Sequence, residues 1–225
     1  MATARQFNDG AKWRVELPDR SERFGSSRPK ATVRVFDSKG EQRWVVPVAV
    51  GKSLSLFCSD CDGRIGSRAG LAYEVERALM SAGKTRVESL LNRRDYSTAE
   101  LLSKLKDDGF SSAVSAQLVD EAVASNIVND ARFAEVFVRS KCYAGWGRLR
   151  IERELSKKGI KARELPGWPE SYFGDEDEKS RALDLASRRR LTGKNDFQKM
   201  VRYLCGKGYS MGVSMDVARQ ILEEG

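Results

Sequence analysis

The pattern of hydrophobic and polar positions divides the chain into a short β-rich region and a long helical region. Residues 33–36 and 44–50 are rich in β-forming side chains and are separated by the turn sequence Asp-Ser-Lys-Gly, which predicts a hairpin. Pro47 cannot donate a ladder hydrogen bond, so its strand is expected at a sheet edge or a bulge. We assign residues 32–68 to the hairpin and a following loop. Residues 1–31 are polar and aperiodic, and we expect a disordered extension there.

From Ala69 onward, apolar residues recur at helical spacing with short breaks between the runs. This periodicity predicts an almost continuous series of helices. The expected helices span 69–92, 97–108, 112–126, 129–144, 147–158, 176–191, 195–207 and 211–223. Ser97 and Glu100 have the spacing of a capping box, and Asn129 is suited to cap another helix.

Residues 129–160 form the most informative stretch, with two helices joined by a glycine hinge. The apolar face of the first helix consists of Phe133, Ala134, Phe137 and Val138. The second helix begins near Gly147 and carries Ile151 and Leu155 four residues apart on one side. It ends at Gly159, a residue suited to a left-handed C-cap.

An apolar-x3-Leu-x3-Gly-apolar pattern occurs three times, at intervals of 50 and 49 residues. Its copies are Leu101/Leu105/Gly109/Phe110, Ile151/Leu155/Gly159/Ile160 and Met200/Leu204/Gly208/Tyr209. The period predicts three tandem units of about three short helices each. The units are expected at 69–128, with a lead-in helix, at 129–174 and at 175–225. The second unit lacks a good third helix, because Pro166 and Pro169 interrupt it.

Charge adds the expectation of an anionic partner. The chain has 40 Lys and Arg against 32 Asp and Glu, a net charge of +8, which suits a nucleic acid or an acidic protein surface. Eight basic and four acidic residues lie within 129–160. Arg150, Arg153 and Lys157 fall within roughly 60° of one another around their helix. The alternative interpretation is a solvated face with ordinary ion pairs, such as Arg150 with Glu154.

The sequence gives little support to an enzyme. It has no histidine, which removes Ser-His-Asp and Cys-His catalysis and histidine metal sites. Asp107, Asp108 and the acidic run 175–178 read as helix ends rather than as a metal-binding cluster. We therefore predict no catalytic residue, metal or cofactor.

Cys58 and Cys61 form one CxxC pair without the second pair of a zinc ribbon or the βαβ context of a redox site. We interpret them as incidental reduced loop thiols, and a metal or redox role is the alternative. No run of 18 apolar residues occurs, and the N-terminus lacks the apolar core of a signal peptide. We expect a cytoplasmic protein with no membrane partner.

Three segments resemble the RecX family, the regulatory proteins of the RecA recombinase. They are residues 93–110, 129–160 and 201–210. The middle segment is the most specific, and its matching residues are Asp130, Arg132, Phe133, Ala134, Gly145, Gly147, Arg150, Ile151, Glu154, Leu155, Gly159 and Ile160. The resemblance covers residues 90–225 well, and the hairpin at 32–50 is similar to the family's short N-terminal β element. The prolines at 166–169 depart from the usual long third helix of that unit.

The resemblance implies a mainly α fold, with three three-helix repeats in an elongated curved array that lodges in the groove of a RecA–DNA filament. It also implies inhibition of RecA's ATPase, strand-exchange and co-protease activities, and weak, non-specific DNA binding. Nothing resembles a dimer zipper, so a monomer is expected. The alternative is a stand-alone DNA-binding protein that uses one helix pair as a reading head.

We predict a contact surface made of basic side chains and a separate set of residues that serve the fold. The contact residues are Arg139, Lys141, Arg148, Arg150, Arg153, Lys157, Lys158, Arg188, Arg189, Arg190 and Lys207. The structural residues are Phe133, Phe137, Gly109, Gly145, Gly147, Gly159, Gly208, Ile151 and Leu155.

Overall fold

A computed structural model describes residues 5–7, 12–19, 29–37, 40–60, 67–173 and 178–223. The chain divides into two compact units, Met1–Val128 and Asn129–Gly225. The first unit contains β1 (Arg5–Gln6), β2 (Lys12–Glu16), β3 (Lys30–Asp37), β4 (Gly40–Pro47), α1 (Val48–Asp60), α2 (Arg68–Leu91), α3 (Thr98–Asp107) and α4 (Ser112–Ala124). The second contains α5 (Asp130–Tyr143), α6 (Arg148–Lys157), a 3₁₀ turn (Ala162–Glu164), α7 (Glu170–Phe173), α8 (Glu178–Ser187), α9 (Asp196–Lys207) and α10 (Met211–Glu223). The prediction of a mainly α fold with a small N-terminal β element is confirmed.

The β element is larger than the predicted hairpin. Its four antiparallel strands lie in the order β1-β2-β3-β4, so β4, which ends at Pro47, is an edge strand as expected. Strands β1 and β2 lie within residues 1–31, where we expected only a disordered extension, and that expectation is corrected. Trp13 and Val15 alternate with charged residues along β2 and are 3% and 9% exposed. Burial of this one face accounts for the strand.

Helix α1 is a second correction. We expected Val48 and Val50 to continue the strand and a loop to follow, but the helix begins at Val48. Val50 and Leu54, four residues apart, are almost fully buried, so tertiary packing outweighs the β propensity of valine. Gly51 allows α1 to approach the sheet closely, because a Cβ there would lie 2.4 Å from the Ala31 Cβ.

Some sequence features fall outside the described residues. These are Cys61, the side chain of Cys58, Ser38 and Lys39 of the hairpin turn, and residues 175–177 of the acidic run.

The eight predicted helices all occur in the structure, although α8 ends four residues earlier than expected, at Ser187. Their caps form as the sequence suggested. Ser97 and Glu100 make both hydrogen bonds of a capping box, and the Asn129 side chain accepts a hydrogen bond of 3.0 Å from the Arg132 amide. The proline-rich segment after α6 folds only into the 3₁₀ turn and the four-residue α7.

The three copies of the repeated pattern end their helices in the same way. Gly109, Gly159 and Gly208 have φ angles of +98°, +76° and +99°, the left-handed conformation that favours glycine. In each copy the amide after the glycine donates to the carbonyl of the repeated leucine, at 3.1, 3.0 and 3.1 Å. These are Schellman motifs. Each copy contributes its buried apolar pair to a different hydrophobic cluster.

Candidate functional site

Three aromatic rings form a row along α5 and the start of α6. The rings of Phe133 and Phe137 are stacked, with centroids 6.2 Å apart. The ring of Trp146 meets Phe137 edge to face at 6.4 Å. All three side chains are half-buried and pack against the hydrophobic cluster of the second repeat. Phe133 and Phe137 therefore pack in the fold, as predicted, with one part of each ring, and another part remains accessible at the surface.

Cations lie over each ring of this row. Lys158 Nζ is 5.6 Å from the Phe133 centroid and 5.5 Å from that of Phe137. Lys141 Nζ is 5.4 Å from Phe137 and 5.1 Å from Trp146. The guanidinium carbon of Arg150 lies 3.8 Å from the Trp146 centroid. Each such contact is worth about 0.5–1 kcal/mol at a partly exposed site, so the rings hold the positive groups in place.

We call these six residues the aromatic–cation surface. It consists of Phe133, Phe137, Lys141, Trp146, Arg150 and Lys158. Three of the predicted contact residues therefore meet on one surface, although they lie on two helices and the turn that follows.

Arg150 also joins α6 to α9. Its Nη1 donates to the Gly206 carbonyl at 2.9 Å, and its Nε is buried without a hydrogen-bond partner among the described residues. The Gly147 amide donates to the Lys207 carbonyl at 2.8 Å, and the Leu149 amide donates to the Gly208 carbonyl at 3.2 Å.

We call this set of three hydrogen bonds the α6–α9 junction. Backbone amides at the start of α6 have no acceptor within their own helix, and they donate to carbonyls at the end of α9 that have no donor within theirs. The positive end of the α6 dipole thereby faces the negative end of the α9 dipole. The junction requires glycine, because a Cβ on Gly147 would lie 2.4 Å from the Gly208 oxygen. Gly147 and Gly208 thus have structural roles, and Arg150 belongs to the fold as well as to the candidate surface.

Arg139 of α5 and Arg148 of α6 form exposed ion pairs. Glu135 holds Arg139 at 3.0 Å, and Glu152 holds Arg148 at 3.3 Å. Pairs of this kind contribute little to stability and are easily exchanged for a partner's acidic groups.

Glu154 pairs with two of the predicted contact residues. It lies 2.8 Å from Lys157 and 3.7 Å from Arg153. The hydrogen bond from Lys157 holds the pKa of the Glu154 carboxyl below its ordinary value, so this acid stays charged at neutral pH. Arg150, Arg153 and Lys157 share a helical stripe, but Arg150 lies over the Trp146 ring, whereas Arg153 and Lys157 share Glu154.

In the third repeat, two predicted contact residues share one ring. Arg189 lies 4.1 Å from the Tyr203 centroid, and Lys207 lies 5.7 Å from it. Arg188 pairs with Asp184 at 2.6 Å. Arg190 is exposed.

Sequence reasoning missed several exposed apolar residues near these cations. Tyr143, the last residue of α5, is 97% exposed, and Val136, two turns earlier on the same side, is 58% exposed. Leu149 on α6 is 50% exposed. The sequence does contain a signal for their exposure, because these apolar residues lie outside the apolar faces of their helices.

The described residues contain no group of three or more Cys, Asp and Glu side chains that could hold a metal ion. Burial raises the pKa of the Cys142 thiol, which opposes formation of a reactive thiolate. Within the described ranges, no helix is both long and apolar enough to cross a membrane.

Comparison with known proteins places these features in a family context. Residues 129–164 match the model of the RecX second three-helix domain. The regulatory protein RecX of Legionella pneumophila (strain Corby) is 31% identical over 140 residues, covering 59% of this chain and 89% of the relative. The regulatory protein RecX of Mycobacterium sp. (strain KMS) is 34% identical over 141 residues, covering 57% and 75%.

A crystal structure of a regulatory protein RecX has a similar fold. It aligns with a TM-score of 0.53 over 99% of this chain and 100% of that one, at 16% identity. At this level of identity the likeness concerns the fold alone.

Proposed function

The chain belongs to the RecX family, and from that premise we propose that it binds the RecA–DNA filament and inhibits RecA. The inhibited activities are the ATPase, strand exchange and co-protease activities, and the consequence is modulation of recombination and DNA repair. The activity is binding, and it requires no catalytic residue or cofactor of its own.

The observation that carries this proposal is the aromatic–cation surface. It lies within residues 129–164, the segment that matches the RecX second domain. Its positive groups are held over rings, so a partner's carboxylates or phosphates meet them with little further loss of side-chain entropy. Long-range attraction from a chain of net charge +8 speeds docking on a polyanionic filament. Each phosphate contact weakens with salt.

A charge-reversal experiment tests the contact surface. The variant carries Lys141→Glu and Lys158→Glu, the two lysines of the aromatic–cation surface, and Arg139→Glu beside them on α5. It leaves Arg150 unchanged because that residue holds the α6–α9 junction. The control carries Lys179→Glu, Lys194→Glu and Arg219→Glu, three exposed positions of the second unit with the same change in net charge.

Both variants are titrated against the ATPase of RecA preassembled on single-stranded DNA. We expect the contact variant to require at least about tenfold more protein for half-inhibition, or roughly 1.4 kcal/mol of binding free energy, while the control stays close to wild type. Equal inhibition by both variants would overturn the assignment of the surface.

Tyr143 favours a second candidate function, stand-alone DNA binding. It is an almost fully exposed aromatic side chain two residues from Lys141, and base stacking on such a ring is worth about 1–3 kcal/mol. Tight, sequence-dependent DNA binding by a protein that leaves the RecA ATPase unchanged would favour this alternative.

A further inference from the structure

A groove lies between α6 and the 3₁₀ turn, and Trp146 is not among the residues that line it. Its volume is about 560 Å³. One wall is a stripe of α6 that includes Leu149, Arg153 and Ser156, at spacings of four and three residues that place them on one side of the helix. Lys161 and Arg163 are on the opposite wall.

The groove combines an apolar base with a basic rim. Ile160 is buried at 7% exposure and lines the groove, and Leu149 is half-exposed beside it. The rim carries the positive groups of Arg153, Lys161 and Arg163. Its charges outnumber the single lining acid, Glu152.

The polar groups of the groove differ in how firmly they are held. Glu152 is engaged within the fold, since it accepts a hydrogen bond of 3.2 Å from the Trp168 indole and pairs with Arg148. Lys161 pairs with Glu164 at 2.9 Å, but both side chains are more than 60% exposed. A ligand carboxylate can replace such an exposed partner at small cost.

We propose that this groove binds an acidic polypeptide segment of the RecA partner that inserts one large apolar side chain against Leu149 and Ile160. The inference rests on the proposed function and names the chemistry of one contact within it. Carboxylates of the segment would pair with Arg153 and Arg163 at the rim. Apolar anchors surrounded by charge complementarity are typical of protein interfaces.

The lining favours a polypeptide over a nucleic acid. None of the described residues that line the groove is aromatic, so bases have no ring on which to stack, and single-stranded DNA binding relies on such stacking. The exposed Leu149 offers nothing to a phosphate backbone, whereas it can bury an aliphatic or aromatic side chain of a protein.

The test uses the full chain and a double variant, Leu149→Ala with Arg163→Ala. Its matched control is Arg219→Ala with Leu222→Ala, which removes the same two side-chain types from α10. Arg219 has a side-chain exposure of 56%, and Leu222 is 38% exposed. Three quantities are measured for each protein: the affinity for RecA filaments on single-stranded DNA, the affinity for the same DNA without RecA, and the thermal unfolding midpoint.

We expect the groove variant to bind the filament about tenfold more weakly, as truncation of an interface anchor does, and to bind DNA alone within about twofold of wild type. The control should match wild type in all three measurements. Unchanged filament affinity of the groove variant overturns the proposal, and an equal loss for DNA alone assigns the groove to nucleic acid instead.

The same measurements distinguish a failure of the proposed function from a failure of the groove assignment. If the wild-type protein does not bind the filament, the proposed function fails, and this inference fails with it. If wild type binds and the groove variant binds equally well, only the groove assignment is wrong. Arg163→Glu alone provides a second variant at an exposed position, and it should weaken filament binding in the same direction.

Discussion

The α6–α9 junction gives a quantitative prediction for Gly208→Ala. Gly208 has a φ of +99°, and a left-handed conformation costs an alanine about 1–2 kcal/mol. The added Cβ would lie 2.4 Å from the Arg150 Cβ and 2.6 Å from the Arg150 amide nitrogen, so α6 must move away from α9. That movement breaks the three junction hydrogen bonds, each worth about 0.5–1.5 kcal/mol. We expect a total loss of about 2.5–6.5 kcal/mol in the free energy of unfolding of the second unit.

Gly109→Ala provides the matched control, because Gly109 occupies the same place in the first repeat with a φ of +98°. A Cβ there meets only the flexible Lys30 side chain, at 3.3 Å. This variant should therefore show the conformational cost alone, about 1–2 kcal/mol.

Urea unfolding measures both losses, and hydrogen exchange tests their location. The Gly147 and Leu149 amides should lose protection in Gly208→Ala and keep it in Gly109→Ala. Equal destabilisation by the two substitutions, or retained protection at both amides in Gly208→Ala, would show that Gly208 does not hold the junction together.

Three further predictions concern other parts of the chain. Arg86→Leu removes the ion pair between Arg86 Nε and the buried Asp108 carboxylate, which is 4% exposed and 2.6 Å away. Breaking a buried pair from one side should destabilise the first unit by about 3–5 kcal/mol in urea unfolding, and a loss under about 1 kcal/mol would contradict this. The Asp196 carboxyl accepts hydrogen bonds from Thr192 and Gly193 that lower its pKa in the folded protein. Its contribution to stability is therefore fully present above the ordinary pKa of an unfolded aspartate. That contribution disappears as the pH falls through the lowered pKa of the folded state. In Asp196→Asn that part of the acid dependence of the thermal midpoint should vanish, and an unchanged pH profile would show that the carboxyl does not contribute. Trp146→Leu removes the ring beneath Arg150 and should weaken ATPase inhibition about fivefold, while inhibition equal to wild type would separate the ring from the binding surface.

The helical part of the fold was predictable because its signals are local. The spacing of Ile151 and Leu155, followed by Gly159, defines a buried helix face and its end within ten residues. The same signal repeated at Gly109 and Gly208, and all three sites adopt the same capping geometry.

The sheet and helix α1 were harder to predict because their stability comes from tertiary burial. Strand β2 is only five residues long, although its Trp13 and Val15 do alternate with charged residues. Val48 and Val50 favour a strand by local propensity, but burial of Val50 and Leu54 on one helix face decides otherwise.

The sequence predicts which basic residues belong to the candidate site, but it does not predict how they are arranged in space. The sequence identifies the cluster of cations, but Arg150 reaches a carbonyl 56 residues away, and no local pattern encodes that contact. The groove beside Leu149 likewise depends on how the chain turns after Ile160.

Inhibition of RecA is best measured as the ATPase rate of RecA, preassembled on single-stranded DNA, against increasing amounts of the wild-type protein at fixed salt. We expect inhibition at well below one molecule per RecA, because each bound inhibitor acts on a filament rather than on a single subunit. An unchanged ATPase rate, together with retained DNA binding, would contradict it and leave independent DNA binding in its place.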